Sequence, residues 1–265
     1  MDFYSKGQSS GLGKNLIKLI RSLEQKKYRV QHGLFVVEGD KTVCEVLDSS
    51  LTTEYLLAKP AWIEKFSVSQ PVKTNHIIEI SDKELSQISF LKTPNQAMAL
   101  VRIPEYPLDM AELTGGLSLY LDQVQDPGNM GTMIRLADWF GIRHILCGQG
   151  CVDPFNPKTV QSTMGALIRV KTHQADVAFF QQLKTYAPNF PVYGTFLDGE
   201  NLYSTPLSPK AVIVMGNESK GISDELSQYV NRRLLIPSYP PGEPTSESLN
   251  VAMAAAIVCA EFRRR

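Results

Sequence analysis

Apolar positions along the first hundred residues alternate between helical spacing and short continuous runs. Apolar residues at helical spacing predict a helix over 14–28, and the unbroken apolar run at 34–37 predicts a buried strand. Ser81 followed three residues later by Glu84 matches a capping box that starts another helix. The remaining predicted elements here are a helix at 42–47 and strands at 55–58, 77–80 and 97–103. This alternation favours a small α/β sandwich.

The same alternation resumes after a proline-bracketed linker at 104–110. The predicted strands are 117–121, 145–147, 192–195, 211–215 and 233–236, and the predicted helices are 131–140, 157–165, 176–186, 224–230 and 249–262. Strands separated by helices predict a mostly parallel sheet, which binds ligands beyond the carboxyl ends of its strands. Because 265 residues exceed the ~100–200 of one domain, we expect two domains, 1–105 and 106–265.

Charge is balanced overall and uneven locally. The 27 basic and 27 acidic residues argue against a protein that coats nucleic acid nonspecifically. A basic stretch near the N-terminus contains seven basic residues and only one acidic residue, Glu24. The basic residues are Lys6, Lys14, Lys18, Arg21, Lys26, Lys27 and Arg29. From charge alone, a phosphate-facing RNA-binding patch and an ordinary solvated helix face remain equally open.

Several functional classes are disfavoured by what the sequence lacks. No apolar stretch reaches the ~18 residues of a membrane span, and no apolar signal core follows the first lysines, so we expect a cytoplasmic protein. Four cysteines are too sparse for a disulfide framework in a chain of this size. His144, Cys147 and Cys151 fit no usual zinc spacing and lack a fourth ligand, so we predict no metal site.

Three loops that follow predicted strands carry the candidate chemistry. The first, 121–131, places Asn129 near a helix N-terminus, where free N–H groups favour anions. Arg135 follows about one turn into that helix, and its planar guanidinium suits a phosphate. Taken alone, a Pro-Gly turn with a salt-bridged arginine is the more ordinary interpretation.

Taken singly, neither the second loop nor the third loop indicates a specific function. The sequence GNESKGIS at 216–223 has two glycines that allow close backbone approach, and Ser223 is a candidate helix cap. It matches neither the phosphate-binding GxxxxGK[ST] pattern nor the dinucleotide-binding GxGxxG pattern. The third loop, 236–250, is proline-rich and brings Ser248 and Asn250 to the start of a small-residue helix.

Taken together and in order, the three loops resemble the three motifs of the SpoU (TrmH-like) family of SPOUT methyltransferases. The resemblance spans about 116–265 and rests on Asn129 with Arg135, then GNESKGIS, then IP…SLNVAMAAAI. The N-terminal part is similar to the substrate-binding domain of many members, through FVVEGDKTVCEVL at 35–47 and Leu91-Lys92-Thr93-Pro94.

The resemblance implies a fold and an activity. It implies an α/β C-terminal domain with a trefoil knot, a homodimer formed through that domain, and methylation of a ribose 2′-hydroxyl in rRNA or tRNA with S-adenosylmethionine. The catalytic residues it implies are Asn129, Arg135, Glu218, Ser248 and Asn250. The cofactor-binding residues it implies are Thr195, Phe196, Leu197, Gly216, Asn217, Glu218, Gly221, Ile236 and Leu249. Arg135 would also contact RNA, as a clamp on phosphate, because a guanidinium group rarely gives up a proton.

Two other functions are compatible with parts of the sequence. The main alternative is an RNA-binding module that keeps this fold without transferring a methyl group, and the presence of all five implied catalytic residues argues against it. A nucleotide-dependent α/β enzyme that uses the Gly216 loop for phosphate is disfavoured by the missing lysine pattern. Two departures from the family weaken particular contacts: a longer proline-rich third motif, and Gln161 where members often have arginine.

Overall fold

A computed structural model describes residues 12–67, 74, 76–241, 243–246 and 248–264, so Lys6 of the basic stretch lies outside the described residues. The chain divides into two compact units, Met1–Pro104 with Phe155–Gln161, and Glu105–Pro154 with Ser162–Arg265. The sequence places 155–161 in the second domain, but the ring of Phe155 packs on Phe35 with centroids 4.9 Å apart. This segment therefore belongs to the first unit.

The first unit is a mixed sheet with helices packed on it. Its elements are α1 (Lys14–Ser22), α2 (Lys26–His32), β1 (Leu34–Glu38), α3 (Asp40–Leu47), β2 (Thr53–Ala58), α4 (Pro60–Ser67), β3 (His76–Glu79), α5 (Asp82–Ile88) and β4 (Ala97–Arg102). The strand order is β1-β4-β2-β3, in which β4 is antiparallel to β1 and β2, and β2 is parallel to β3. The capping box is confirmed, because Ser81 and Glu84 exchange both of its hydrogen bonds at the start of α5.

The single helix predicted over 14–28 is wrong, because the chain breaks between α1 and α2. The break explains a second correction. Arg29, predicted to face RNA, is 1% exposed, and its Nη1 donates to the carbonyl oxygens of Leu23 and Glu24 at 2.8 Å each. Carbonyl groups at a helix end have no partner within the helix, so a buried cation there stabilises the break. Arg29 is structural and is unavailable to a phosphate.

The second part of the chain forms a parallel sheet. The elements of this part are α6 (Met110–Thr114), β5 (Leu117–Leu121), α7 (Pro127–Trp139), β6 (His144–Cys147), α8 (Pro157–Thr163), a 3₁₀ turn (Ala166–Ile168), β7 (Lys171–Gln174), α9 (Val177–Tyr186), β8 (Val192–Asn201), β9 (Ala211–Met215), α10 (Asp224–Ser227), β10 (Arg232–Leu235) and α11 (Val251–Arg264). Most of α8 belongs to the first unit. The six described strands pair in the order β10-β8-β9-β5-β6-β7, and every pairing is parallel. The predicted parallel α/β fold is confirmed, while the trefoil knot stays a prediction.

The centre of this sheet is fully apolar and sets the position of the loops. All residues of β5 and β9 are buried, as expected for strands covered on both faces. Parallel strands bring their carboxyl ends to one edge, so the loops after β5, β8, β9 and β10 emerge side by side. Among the described residues, none of the helices is both long and apolar enough to span a bilayer.

Candidate active site

Three polar side chains from the three predicted loops meet at the carboxyl edge of the parallel sheet. Glu218 Oε1 accepts hydrogen bonds from Asn129 Nδ2 and from Asn250 Nδ2, the latter at 2.9 Å. Asn250 Nδ2 also lies 3.1 Å from Asn129 Oδ1. Asn129 precedes Glu218 by 89 residues and Asn250 by 121, so only the fold brings them together. We call these three residues the polar cluster.

Two helix N-termini hold the cluster in place. Asp126 caps α7 by accepting from the backbone N–H of Asn129 at 2.8 Å, with proline at the start of the helix. Asn250 immediately precedes α11, and its Oδ1 accepts from the N–H groups of Ala252 and Met253 at 3.0 and 3.3 Å. The N-termini of α7 and α11 therefore lie beside the Glu218 carboxylate and fix the two asparagines that bind it.

The loop that carries Glu218 is a tight turn that only glycine permits at its two ends. A Cβ added to Gly216 would lie 2.3 Å from the carbonyl carbon of Gly221, and Gly221 itself has φ +67°. Asn217 and Gly221 exchange backbone hydrogen bonds of 2.8 and 2.9 Å across the turn. The close approach fixes the direction in which Glu218 leaves the sheet edge.

Asn217 builds the turn and ties it to the first loop. Its Oδ1 accepts from the N–H groups of Ser219 and Lys220 at 2.9 and 3.2 Å, and its Nδ2 donates to the carbonyl of Gln123 at 2.9 Å. Gln123 has the unusual φ of +56°, which this bond helps to hold. Both polar ends of the Asn217 side chain are thus engaged within the protein.

A cavity of about 310 Å³ opens beside the cluster. Its walls are residues of the first two loops and the start of α11: Gln123, Val124, Gln125, Asp126, Asn129, Asn217, Glu218, Ser219, Lys220 and Val251. The lining is mostly polar and offers amide donors and acceptors, one carboxylate of the cluster and one lysine. Such a lining suits a polar ligand that is read by hydrogen bonds.

Arg135 and Ser248 are not brought into the polar cluster. Arg135 is exposed on α7, six residues beyond Asn129, which is an offset of about 120° around the helix. Within the described residues, Arg135 makes neither a hydrogen bond nor an ion pair, and the exposed Ser248 contacts no polar partner. The predicted catalytic set therefore divides into three clustered residues and two free ones. Ser223, predicted to cap α10, holds the cap position, but its side chain accepts no capping bond.

The predicted cofactor residues Thr195, Phe196 and Leu197 lie where β8 leaves its neighbour. Arg233 of β10 pairs with Gly194, but the next residue, Leu234, pairs with Glu200. Residues 195–199 are therefore extruded from the ladder, and we call them the 195–199 excursion. Leu197 at its tip is 80% exposed, and Leu249 beyond the neighbouring strand is 50% exposed. Ile236 is half-buried directly after β10.

The buried histidine pair on β6 and β7 is not part of the polar cluster. His144 Nδ1 lies 3.1 Å from His173 Nε2, and both rings are buried. Burial lowers the pKa of both histidines, so the pair is neutral at neutral pH. In the part of the chain that the structure describes, no cluster of three or more His, Cys, Asp or Glu residues is arranged to hold a metal.

The comparisons with known proteins fit this architecture. Residues 116–260 match the model of the SpoU rRNA methylase family, and residues 14–99 match that of the MRM3-like substrate binding domain. The chain is 32% identical over 250 residues to the Bacillus subtilis 23S rRNA (guanosine(2553)-2′-O)-methyltransferase RlmP, covering 93% of this chain and 95% of the relative.

Two solved structures resemble the chain over nearly its whole length. A TrmH-family protein from Porphyromonas gingivalis has 41% identity and a TM-score of 0.85, with 96% of this chain and 98% of that one covered. The AdoMet-bound rRNA methyltransferase from Sinorhizobium meliloti has 29% identity and a TM-score of 0.84, with 97% of each chain covered. With its catalytic-domain match covering more than half its length, the chain belongs to the SpoU rRNA methylase family.

Proposed function

We propose that this protein transfers the methyl group of S-adenosylmethionine to a ribose 2′-hydroxyl of RNA, with ribosomal RNA as the substrate class. The observation that carries the proposal is the polar cluster, in which Asn129, Glu218 and Asn250 converge from three loops beside a polar cavity. The B. subtilis relative is named for 2′-O-methylation of 23S rRNA, and the S. meliloti relative binds AdoMet.

The residues at the ends of β8, β9 and β10 fit S-adenosylmethionine. An adenosyl group needs apolar faces beside backbone polar groups, and Leu197 and Leu249 supply exposed apolar side chains near the ends of β8 and β10. Gly221 leaves its backbone accessible, because a Cβ added there would meet no atom within 4 Å. The residues that would hold the cofactor are Thr195, Phe196, Leu197, Gly216, Gly221, Ile236 and Leu249.

The cofactor supplies an already activated methyl group, so the protein's work is alignment and the handling of one proton. Glu218 uses Oε1 for the two asparagine amides, and its Oε2 has no hydrogen-bond partner among the described residues. The 2′-hydroxyl of the target ribose donates a hydrogen bond to Oε2 of Glu218. This bond raises the nucleophilicity of the hydroxyl oxygen. Asn129 and Asn250 fix the carboxylate so that Oε2 keeps its direction.

Arg135 acts on the phosphate next to the target ribose. Its guanidinium is exposed and free of partners within the described chain, so both of its donor edges are available to a phosphate. Since a guanidinium group rarely gives up its proton, the group orients the nucleotide and leaves proton acceptance to a carboxylate.

The first unit binds RNA through part of the basic stretch. Lys14, Lys18, Lys26 and Lys27 are exposed on α1 and α2. Arg21 is exposed too, although its Nη1 donates to the Ser89 carbonyl at 3.1 Å. Such a surface neutralises phosphates without reading sequence, which agrees with the match of this region to a substrate binding domain.

The protein acts as a homodimer through the face formed by α7 and α11. Trp139 is 84% exposed and Met253 is 63% exposed on these two helices, which is unusual for large apolar side chains. Arg135 lies one turn before Trp139 on the same side of α7. A second copy packed on Trp139 would therefore lie next to Arg135.

Sedimentation velocity tests the dimer. We expect the wild-type protein to sediment at twice its 29.5 kDa chain mass at micromolar concentration. A charge in the apolar face, as in Trp139→Glu, should dissociate it and lower methyl transfer together. A wild-type monomer that is fully active would contradict the proposal.

A methyl-transfer assay tests the activity. Purified protein is incubated with S-adenosylmethionine carrying a labelled methyl group and with total RNA from cells that lack the gene. We expect label in ribosomal RNA that survives alkaline hydrolysis as a 2′-O-methylated dinucleotide, because methylation removes the internal nucleophile. Calorimetry on the same preparation should show S-adenosylmethionine binding.

Arg135→Lys is the informative variant in this assay. It keeps the charge and loses the planar fork, so kcat/KM for RNA should fall about tenfold or more while S-adenosylmethionine affinity is retained. Near-normal turnover would count against a bidentate phosphate clamp. RNA binding by the wild type without S-adenosylmethionine binding would instead identify an inactive binding module.

A further inference from the structure

Arg233 makes two contacts with the 195–199 excursion that no sequence motif indicated. Its guanidinium carbon lies 3.6 Å from the centroid of the Phe196 ring. Its Nη2 donates to Asp198 Oδ1 at 2.6 Å. The two contacts reach either side of Leu197, so one side chain of β10 spans the tip of the excursion.

We infer that Arg233 is a positioning residue that holds the 195–199 excursion in the shape that receives S-adenosylmethionine. The inference rests on the proposed function, because the excursion carries three of the residues expected to hold the cofactor. Arg233 itself acts through Phe196 and Asp198 and is not required to touch the cofactor.

The base of the excursion is fixed without Arg233. A Cβ added to Gly199 would lie 2.4 Å from the carbonyl carbon of Leu234, so this residue is pressed against the neighbouring strand. At the other end, a Cβ added to Gly194 would lie 2.8 Å from the rings or methyl groups of Phe196 and Ile222. Backbone contact therefore anchors the Gly199 end, and close side-chain packing anchors the Gly194 end.

The tip depends on side chains. Leu197 is 80% exposed and the Asp198 side chain is 73% exposed, so little burial holds either of them. The hydrogen bond from Arg233 lowers the pKa of Asp198 below its ordinary value, as expected for a carboxylate paired with a cation. Phe196 also packs against the apolar core of the second unit. The Arg233 guanidinium, stacked on this ring and paired with the Asp198 carboxylate, thus connects the exposed tip to both the core and β10.

The size of the effect follows from the fraction of molecules in the binding shape. A ligand's apparent Kd rises in proportion as the binding-competent state becomes less populated. Loss of an exposed cation–π contact together with an exposed ion pair should lower that population about fivefold to tenfold. The chemistry of the polar cluster should be unchanged once the cofactor is bound.

Calorimetry with S-adenosylmethionine on the full-length protein tests the inference. We expect Arg233→Ala to raise the Kd about fivefold to tenfold, and Arg233→Lys and Asp198→Asn to raise it about threefold each, because each keeps one of the two contacts. The matched control is Arg232→Ala, which removes the adjacent exposed arginine of the same strand and should change the Kd by less than about twofold. At saturating cofactor, kcat of all four variants should stay within about twofold of wild type.

The outcomes are distinguishable. If the wild type binds S-adenosylmethionine and Arg233→Ala binds it equally well, the inference is wrong and the proposed function stands. An unchanged Kd with a raised KM for RNA would make Arg233 an RNA contact instead. If the wild type binds no S-adenosylmethionine, the proposed function is wrong, and so is the inference that rests on it. Should Arg233→Ala fail to fold, the same criteria apply to Arg233→Lys and Asp198→Asn.

Discussion

Replacing Glu218 with glutamine is expected to lower the single-turnover rate of methyl transfer about 10²–10³-fold, within the range that proton-transfer catalysis contributes. Glutamine has the same shape as glutamate and keeps one oxygen to accept from Asn129 and Asn250. Its second oxygen is replaced by an NH₂ group, which donates and cannot accept a proton from the ribose hydroxyl. The rate is measured with excess enzyme over ribosomal RNA at saturating S-adenosylmethionine.

A second carboxylate at the same sheet edge serves as the control for Glu218→Gln. Glu225 is exposed on α10, and its replacement with glutamine makes the same change of charge and size. Glu225→Gln should therefore retain the wild-type rate, and both variants should retain S-adenosylmethionine affinity within a few-fold. A Glu218→Gln enzyme that keeps a tenth or more of the wild-type rate would remove Glu218 as the proton acceptor and return that role to another group.

Much of the fold follows from the sequence because it depends on local pattern. The fully apolar runs at 117–121 and 211–215 identify the two central strands, and both are buried throughout. The polar strand β7, Lys171–Gln174, was missed because it lies at the sheet edge, where no apolar run is required. The break between α1 and α2 was missed for another reason. Apolar spacing continues across it, and the buried Arg29 that binds the carbonyl group at the break cannot be recognised as buried from the sequence.

The candidate site was predictable to the extent that it depends on topology. Parallel strands bring their carboxyl ends together, so loops far apart in sequence were expected to meet, and Asn129, Glu218 and Asn250 do. The separate position of Arg135 was missed because the predicted helix began at 131, whereas α7 begins at Pro127 and includes Asn129. Six helical residues then place Arg135 on another side of the helix from Asn129. The 195–199 excursion was hidden as well, since it is a change in strand register and register depends on the partner strand.

Replacing Gly216 with alanine should be the most damaging single methyl addition at the site. The new Cβ would lie 2.3 to 2.5 Å from backbone atoms of Gly221 and Ile222, and backbone has no flexible end that can move aside. The turn must open, which should cost about 1–3 kcal/mol of folding free energy, the usual range for overpacking. For a chain of this size that corresponds to a fall in Tm of roughly 2–10 °C.

Opening the turn should affect function beyond its effect on stability. Glu218 is two residues from Gly216, and the Asn217 bond to the Gln123 carbonyl ties the same turn to the cavity wall. Even a small displacement of the carboxylate moves it away from the two asparagines, so methyl transfer should fall about 10²-fold at a temperature where the variant is still folded. Differential scanning fluorimetry together with the transfer assay separates the two effects.

Gly116→Ala provides the matched control for the Gly216 substitution. Gly116 directly precedes β5, and a Cβ added there would meet no atom within 4 Å, with no positive φ to strain it. Alanine should therefore leave both Tm and activity unchanged or raise Tm slightly, since it restricts the unfolded chain more than glycine does. If Gly216→Ala behaves in the same way, the tight turn between Gly216 and Gly221 does not position Glu218, and the rigidity of the polar cluster must come from the N-termini of α7 and α11 alone.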